Sequence, residues 1–167
     1  MSDSYVRYMD KTREYYLGEG YRNPYRWAHF DTIPFTPLTK PLSECCVALV
    51  STADIAVRSD SGELGHYDKA TFVGQPYSLP SDLPPERLYS RNEHFDHYET
   101  NLDDVNSYYP VTHLREFVAQ GRIGSLAPRF HGVYTSYSHR RTLETDAPEV
   151  LRRLREDRVD AVLLTPI

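Results

Sequence analysis

Cysteine is nearly missing: the chain has two, Cys45 and Cys46, side by side. A bridge between neighbours is strained, so this is not the disulfide framework of a small secreted domain. A reactive thiolate needs a cation or a helix terminus nearby, and Glu44 and Val47 supply neither. The pair reads as two small apolar side chains at a strand entry, facing opposite sides. Long apolar runs are missing too, which excludes a bilayer-spanning helix. The opening Met1-Ser2-Asp3-Ser4 has neither the basic nor the apolar region of a signal peptide, so a cytoplasmic protein without membrane contact is expected. No Gly-x-Gly-x-x-Gly, Walker loop or Gly-x-Ser-x-Gly elbow occurs, which leaves nucleotide cofactors and a standard serine hydrolase without support. Positive charge is not in excess: 19 Lys and Arg stand against 24 Asp and Glu, a net charge of -5. A nucleic-acid surface is therefore not expected. The basic cluster Arg152, Arg153 and Arg155 reads as a solvated helix face.

What remains is a chain of 167 residues, enough for one compact core, with 14 tyrosines and 12 prolines. Residues 3–18 carry Tyr5, Met9, Thr12 and Tyr16 on one helical face, with Gly18 or Gly20 as the stop. Residues 21–43 are rich in proline and aromatics, and proline restricts both itself and its predecessor, so this is an extended arm. We divide the chain into residues 1–33, helix and arm, and residues 34–167, the main domain.

In the main domain, Cys46-Val47-Ala48-Leu49-Val50 reads as a strand buried on both faces. Residues 54–90 are weakly patterned loop with room for one short strand. Arg87–Phe95 reads as a strand. A helix is predicted over about 112–120, capped by Thr112 and stopped by Gly121. Residues 123–129 read as a turn-rich connection and 133–137 as a core strand. Asp146-Ala147-Pro148-Glu149 has capping-box spacing with proline in the first turn. Ala147, Val150, Leu151 and Leu154 then follow as an apolar stripe. Val159–Leu164 reads as a third buried strand. Strand, capped helix and strand imply a parallel βαβ crossover, hence an α/β layered sheet. A sheet that ends on a strand without a covering helix is incomplete at its C-terminal edge, so either more chain or a neighbouring polypeptide should cover it.

The densest polar cluster is Asn92-Glu93-His94-Phe95-Asp96-His97-Tyr98-Glu99. Imidazole and carboxylate together suit zinc or iron. The spacing of His94, Asp96 and His97 lacks a distant further ligand, so a polar site or structural loop is preferred to a metal centre. Ser51 and Thr52 end the first strand, where ligands collect in open α/β sheets; turn hydroxyls bonded to backbone are the other reading. Arg129 has the planar fork that grips a substrate carboxylate, or else it pairs with carboxylates of the protein itself.

Taken in order, several segments resemble one family. Phe35-Thr36-Pro37-Leu38-Thr39-Lys40-Pro41-Leu42-Ser43-Glu44-Cys45-Cys46-Val47-Ala48-Leu49-Val50-Ser51-Thr52 is similar to the first-strand entry of the B-type selenoprotein component of the glycine/sarcosine/betaine and D-proline reductases. His94-Phe95-Asp96-His97, Asp104-Val105-Asn106 and Tyr109-Pro110 resemble its central polar motif. Leu114-Arg115-Glu116 and residues 121–129 resemble the helix and turn that follow, and Val159–Pro166 the strand leading to the redox residue. The resemblance implies reductive C–N cleavage of a small amino acid or amine, with a pyruvoyl group on a partner chain and no cofactor in this one. It implies His94, Asp96 and His97 as catalytic residues and Ser51, Thr52, Asn106 and Arg129 as substrate contacts. The family's selenocysteine or cysteine would fall beyond Ile167. The expectation is therefore an oligomer in which a complementary C-terminal polypeptide or partner subunit supplies the nucleophile. Two other readings stay open: a substrate-binding or structural subunit without chemistry, and a metal-dependent enzyme built on His94, Asp96 and His97.

Overall fold

The computed structural model describes residues 8–23, 30–34, 36–58, 75–93, 95, 98, 101–134 and 138–166. The chain divides into two units, Met1–Phe35 and Thr36–Ile167. In the first, α1 spans Tyr8–Gly18 and stops where Gly20 takes a φ of 86°. Tyr16 is edge-on to both Tyr15 and Tyr21, with ring centroids 5.6 and 5.4 Å apart. Met9, Tyr15, Tyr16 and Leu17 all remain exposed.

The second unit is built around β1, Cys46–Ser51, in which Val47 to Ser51 are all buried. The continuous apolar run predicted this, because a central parallel strand has no solvent face. Parallel strands flank it on both sides. On one side lie β5, Ser125–Leu126, and β6, Arg129–Gly132. On the other lies β7, Ala161–Thr165, in register from Val47↔Ala161 to Ser51↔Thr165. Beyond β6, β3 (Tyr77–Pro80) pairs antiparallel. The short strands β2, Ile55–Val57, and β4, Leu88–Ser90, form a separate antiparallel pair.

Two helices cover this sheet. The first, α2, spans Val111–Ala119 and buries Val111 and Leu114. The second, α3, spans Ala147–Glu156 and buries Val150 and Leu154. Successive strand residues point to opposite faces, and β6 uses both. Phe130 meets the ring of Tyr109, at the entry to α2, edge-on at 6.0 Å. His131 bonds Ser78 Oγ at 2.9 Å, and that oxygen also accepts from Arg153 of α3. The two helices therefore lie on opposite faces, and the α/β layered fold with parallel crossovers is the one expected.

Five local expectations change, the first being that residues 54–90, read as loop with room for one short strand, hold β2, β3 and β4. The core strand placed at 133–137 is centred upstream, at β6, and residues 135–137 lie outside the described part. The connection at 123–129 contains β5, because Gly124 lets the backbone pass against Glu44 and Cys45: a Cβ there would meet Glu44 C at 2.7 Å. Neither predicted helix cap holds. Thr112 lies inside α2, where its N–H donates to Asn106 Oδ1 at 3.1 Å, and Asp146 caps nothing. The helical path into α3 begins instead at His139–Arg141, where Ser138 accepts from Arg141 N–H. It continues through a π-helical turn, Thr142–Asp146, which turns Asp146 inward beside Arg141. Finally, β7 is not buried. Val162, Leu163 and Leu164 are 40, 39 and 69% exposed, because β7 has a neighbour on one side only among the described residues.

Candidate functional site at the carboxyl ends of the parallel strands

Ligands of open α/β sheets gather beyond the carboxyl ends of the strands, and here those ends converge on a single backbone carbonyl. Tyr108 O accepts from Ser51 Oγ of β1 at 3.1 Å and from Thr165 Oγ1 of β7 at 2.9 Å. Tyr108 is held there by a 3-10 turn, Val105–Ser107, for which Asp104 is the cap, accepting from Asn106 N–H at 2.9 Å. Burial raises the pKa of the Tyr108 phenol, whose hydroxyl donates to Leu102 O. Next to β1 the chain turns through Asp54, at a φ of 48°. Ser90 donates to Ala53 O and Arg91 N–H to Asp54 O, and the Arg91 guanidinium pairs with the Asp54 carboxylate. Ser90 and Arg91 are therefore fixed beside the end of β1.

Of the residues expected from sequence, His94, Asp96 and His97 lie outside the described residues. Ser51 is buried with its hydroxyl committed, donating to Tyr108 O and accepting from Ala53 N–H. Thr52 N–H donates to Thr165 O at 3.2 Å, which ties β1 to β7 at the edge. Asn106 bridges the turn, with Nδ2 donating to Asp104 and Oδ1 accepting from Thr112 N–H. Arg129 lies away from this edge, at the start of β6. Its Nε donates to Asp157 at 2.7 Å and a terminal nitrogen to Glu156 at 3.0 Å. These carboxylates end α3, so its fork is filled by the protein's own chain, and the hydrogen bond to Asp157, then that to Glu156, raises its pKa. Among the described residues, no group of three His, Cys, Asp or Glu is placed to hold a metal. Among the same residues no helix is long and apolar enough to cross a membrane.

Sequence reasoning missed one polar group. His131 is 1% exposed, with Nδ1 against Ser78 Oγ and Nε2 buried without a partner. Burial first, then the charges of Arg129 and Arg153, push its pKa down to about 4. The lowered pKa keeps the imidazole neutral at pH 7, with Ser78 Oγ bridging it to Arg153. A histidine in a core strand has no periodicity to mark it out, and only its pairing opposite Ser78 reveals it.

The fold is that of an α/β protein whose parallel strands β1 and β7 meet at the Tyr108 carbonyl. The model of the glycine/sarcosine/betaine reductase selenoprotein B family matches residues 7–167, and the chain belongs to that family. It is 30% identical over 135 residues to the D-proline reductase subunit gamma of Acetoanaerobium sticklandii, across 78% of this chain and 52% of that one. It is 26% identical over 148 residues to the glycine reductase complex component B subunit gamma of Symbiobacterium thermophilum, across 89% of this chain and 34% of that one. A component B subunit gamma from Carboxydothermus hydrogenoformans matches over the same length at 24% identity. The chain thus spans about half, or less, of the length of the curated relatives it matches. No solved structure matches the chain significantly.

Proposed function

We propose that this chain is part of a cytoplasmic, hetero-oligomeric reductase that cleaves a C–N bond in a small amino acid or amine. The observation that carries the reading is the family match across residues 7–167. The convergence of β1 and β7 on the Tyr108 carbonyl supports it by giving a rigid rim for substrate. In this reading a selenolate or thiolate from outside residues 1–167 attacks the α-carbon and the amine departs with the C–N electron pair. A strand's carboxyl end suits such a nucleophile. His94 and His97 are proposed to supply the proton the leaving amine needs, with Asp96 orienting one imidazole. Thr52 and Asn106 line the rim.

A pyruvoyl group would be carried by a partner chain. The described side chains Ser51, Asn106 and Thr165 at the rim bond within this chain, so they form no cradle for it.

The test uses the assembled complex with a dithiol reductant and glycine, sarcosine, betaine and D-proline in turn. The expected result is loss of the amine, or ring opening for D-proline, with one of the four. His94→Ala or His97→Ala should lower kcat by about 100-fold, the usual scale for one acid–base group. Turnover of none, or full activity in both variants, overturns the assignment. One observation favours a second reading, a subunit without chemistry: Ser51 and Arg129 are both engaged within the chain. Arg129 is therefore left out of the proposed substrate contacts.

A further inference from the structure

The strand β7 has the composition of an interior strand and the exposure of an edge. Ala161-Val162-Leu163-Leu164 is as apolar as β1, on both faces. Proteins protect edge strands with charge, proline, bulges or brevity, and between Asp160 and Pro166 none of these appears. Both faces are open: Val162 and Leu164 alternate with Leu163, and all three stand at 39% exposure or more. Among the described residues its backbone is open on one side as well. Thr165 O accepts from Thr52 N–H, so Leu163 turns its backbone groups to β1 in the same way. Val162 and Leu164 then carry theirs to the free edge. The register of Ala48↔Val162 and Val50↔Leu164 agrees with this alternation. On α3, Leu151 of the apolar stripe stays 46% exposed, so the apolar surface is not confined to the strand.

We infer that β7 is an interior strand of a larger parallel sheet. Its free edge takes one more parallel strand, from the polypeptide corresponding to the part of the relatives that this chain does not span. Length argues for this occupant over a second copy: 48% of the proline reductase subunit and 66% of the glycine reductase subunit lie outside the match (100 minus 52, and 100 minus 34). Chemistry argues the same way. A second copy related by a two-fold axis would pair β7 with itself antiparallel, whereas the strands flanking β1 are all parallel. The occupant is then a strand with helical cover, apolar on both faces. It joins the sheet beside Thr165, at the rim proposed for catalysis. The inference rests on the reductase reading for the identity of the occupant and not for the open edge.

Proline separates the two sides of the strand. Leu164→Pro removes an N–H that faces the free edge and spares the β1 ladder, whereas Leu163→Pro breaks that ladder. The tagged chain is expressed in its own host, and the purified material is read by native mass spectrometry and amide-resolved hydrogen exchange. The expected result is association, covalent or not, with sequence of the same family. The Val162 and Leu164 amides should be slowed at least 100-fold relative to the isolated 167-residue chain. Leu164→Pro should lose the association, or that protection, while the isolated variant keeps the melting temperature of the isolated wild type within a few degrees. Family sequence bound with both amides still fast, or bound equally by Leu164→Pro, overturns the strand pairing and leaves the reductase reading standing. A homodimer, or a lone monomer with fast amides, overturns the occupant as well. A partner of another family that protects both amides keeps the open edge and overturns the reductase assignment.

Discussion

Gly132 gives the sharpest single-residue test of the packing, because Tyr77 occupies the space its side chain would fill. A Cβ at position 132 would stand 2.0 Å from Tyr77 Cζ and 2.2 Å from its hydroxyl oxygen. Ordinary contact needs about 3.5 Å, so the ring must move by more than an ångström. The ring is anchored at its far end, where the Tyr77 hydroxyl accepts from Ile55 N–H at 2.6 Å. Displacing it leaves the N–H of Ile55, a residue 2% exposed, without its partner. That costs about 1–3 kcal/mol, and forcing the new methyl into a filled space adds about 1–3 kcal/mol. Gly132→Ala should therefore destabilise by roughly 2–6 kcal/mol. Backbone strain is not the cause, since Gly132 is not among the glycines with positive φ. The assay is urea unfolding by circular dichroism, with the double variant Tyr77→Ala/Gly132→Ala closing the cycle. Once the ring is gone, the added methyl should cost less than about 1 kcal/mol, a coupling of at least about 1 kcal/mol. Equal cost in both backgrounds would refute the steric argument.

Three further outcomes follow from the geometry. The His131 pKa of about 4 lies below the 6.5 of an unfolded chain, so the unfolded state binds more protons between those values. Stability should rise by about 3 kcal/mol from pH 4 to pH 6.5, a slope that His131→Phe should flatten in pH-dependent urea titrations. Gly124→Ala places a Cβ 2.7 Å from Glu44 C and 2.9 Å from Cys45 N and O. Backbone cannot rotate aside, so β5 should part from β1 at a cost of about 2–4 kcal/mol, with faster exchange at Ser125 and Ala127. Arg129→Ala should cost about 1 kcal/mol, as for a half-exposed ion pair, and leave KM unchanged; a tenfold rise in KM would restore Arg129 as a substrate contact.

Much of this was legible in the residues, and the failures have particular causes. The run from Cys46 to Val50 announced a central strand because a strand flanked on both sides has no polar face to show. Val159 to Leu164 gave the same signal and the right location, yet Leu164 is 69% exposed. Burial depends on a neighbour, and among the described residues β7 has one on a single side. The β-branched and aromatic run at 133–137 outweighed Arg129-Phe130-His131-Gly132 by propensity. Pairing with β1 and with Ser78 selected the latter. Asp146 looked like a cap because helix starts are read locally, whereas the π turn carries the helix upstream to Ser138. At the site, Ser51 and Thr52 were placed correctly at the end of β1. The partners that occupy them, Tyr108 and Thr165, are 57 and 113 residues away in sequence for Ser51 and Thr52 respectively (108 minus 51, 165 minus 52). Arg129 finds its carboxylates 27 and 28 residues on, a pairing with no local signature.

The most direct test of the central claim is the intact mass, under reducing and non-reducing conditions, of the natively purified assembly that contains this sequence. The account predicts these 167 residues, continuous with or bound to family sequence carrying a reactive cysteine or selenocysteine. A 19.4 kDa species with no companion and no reductase activity would contradict it.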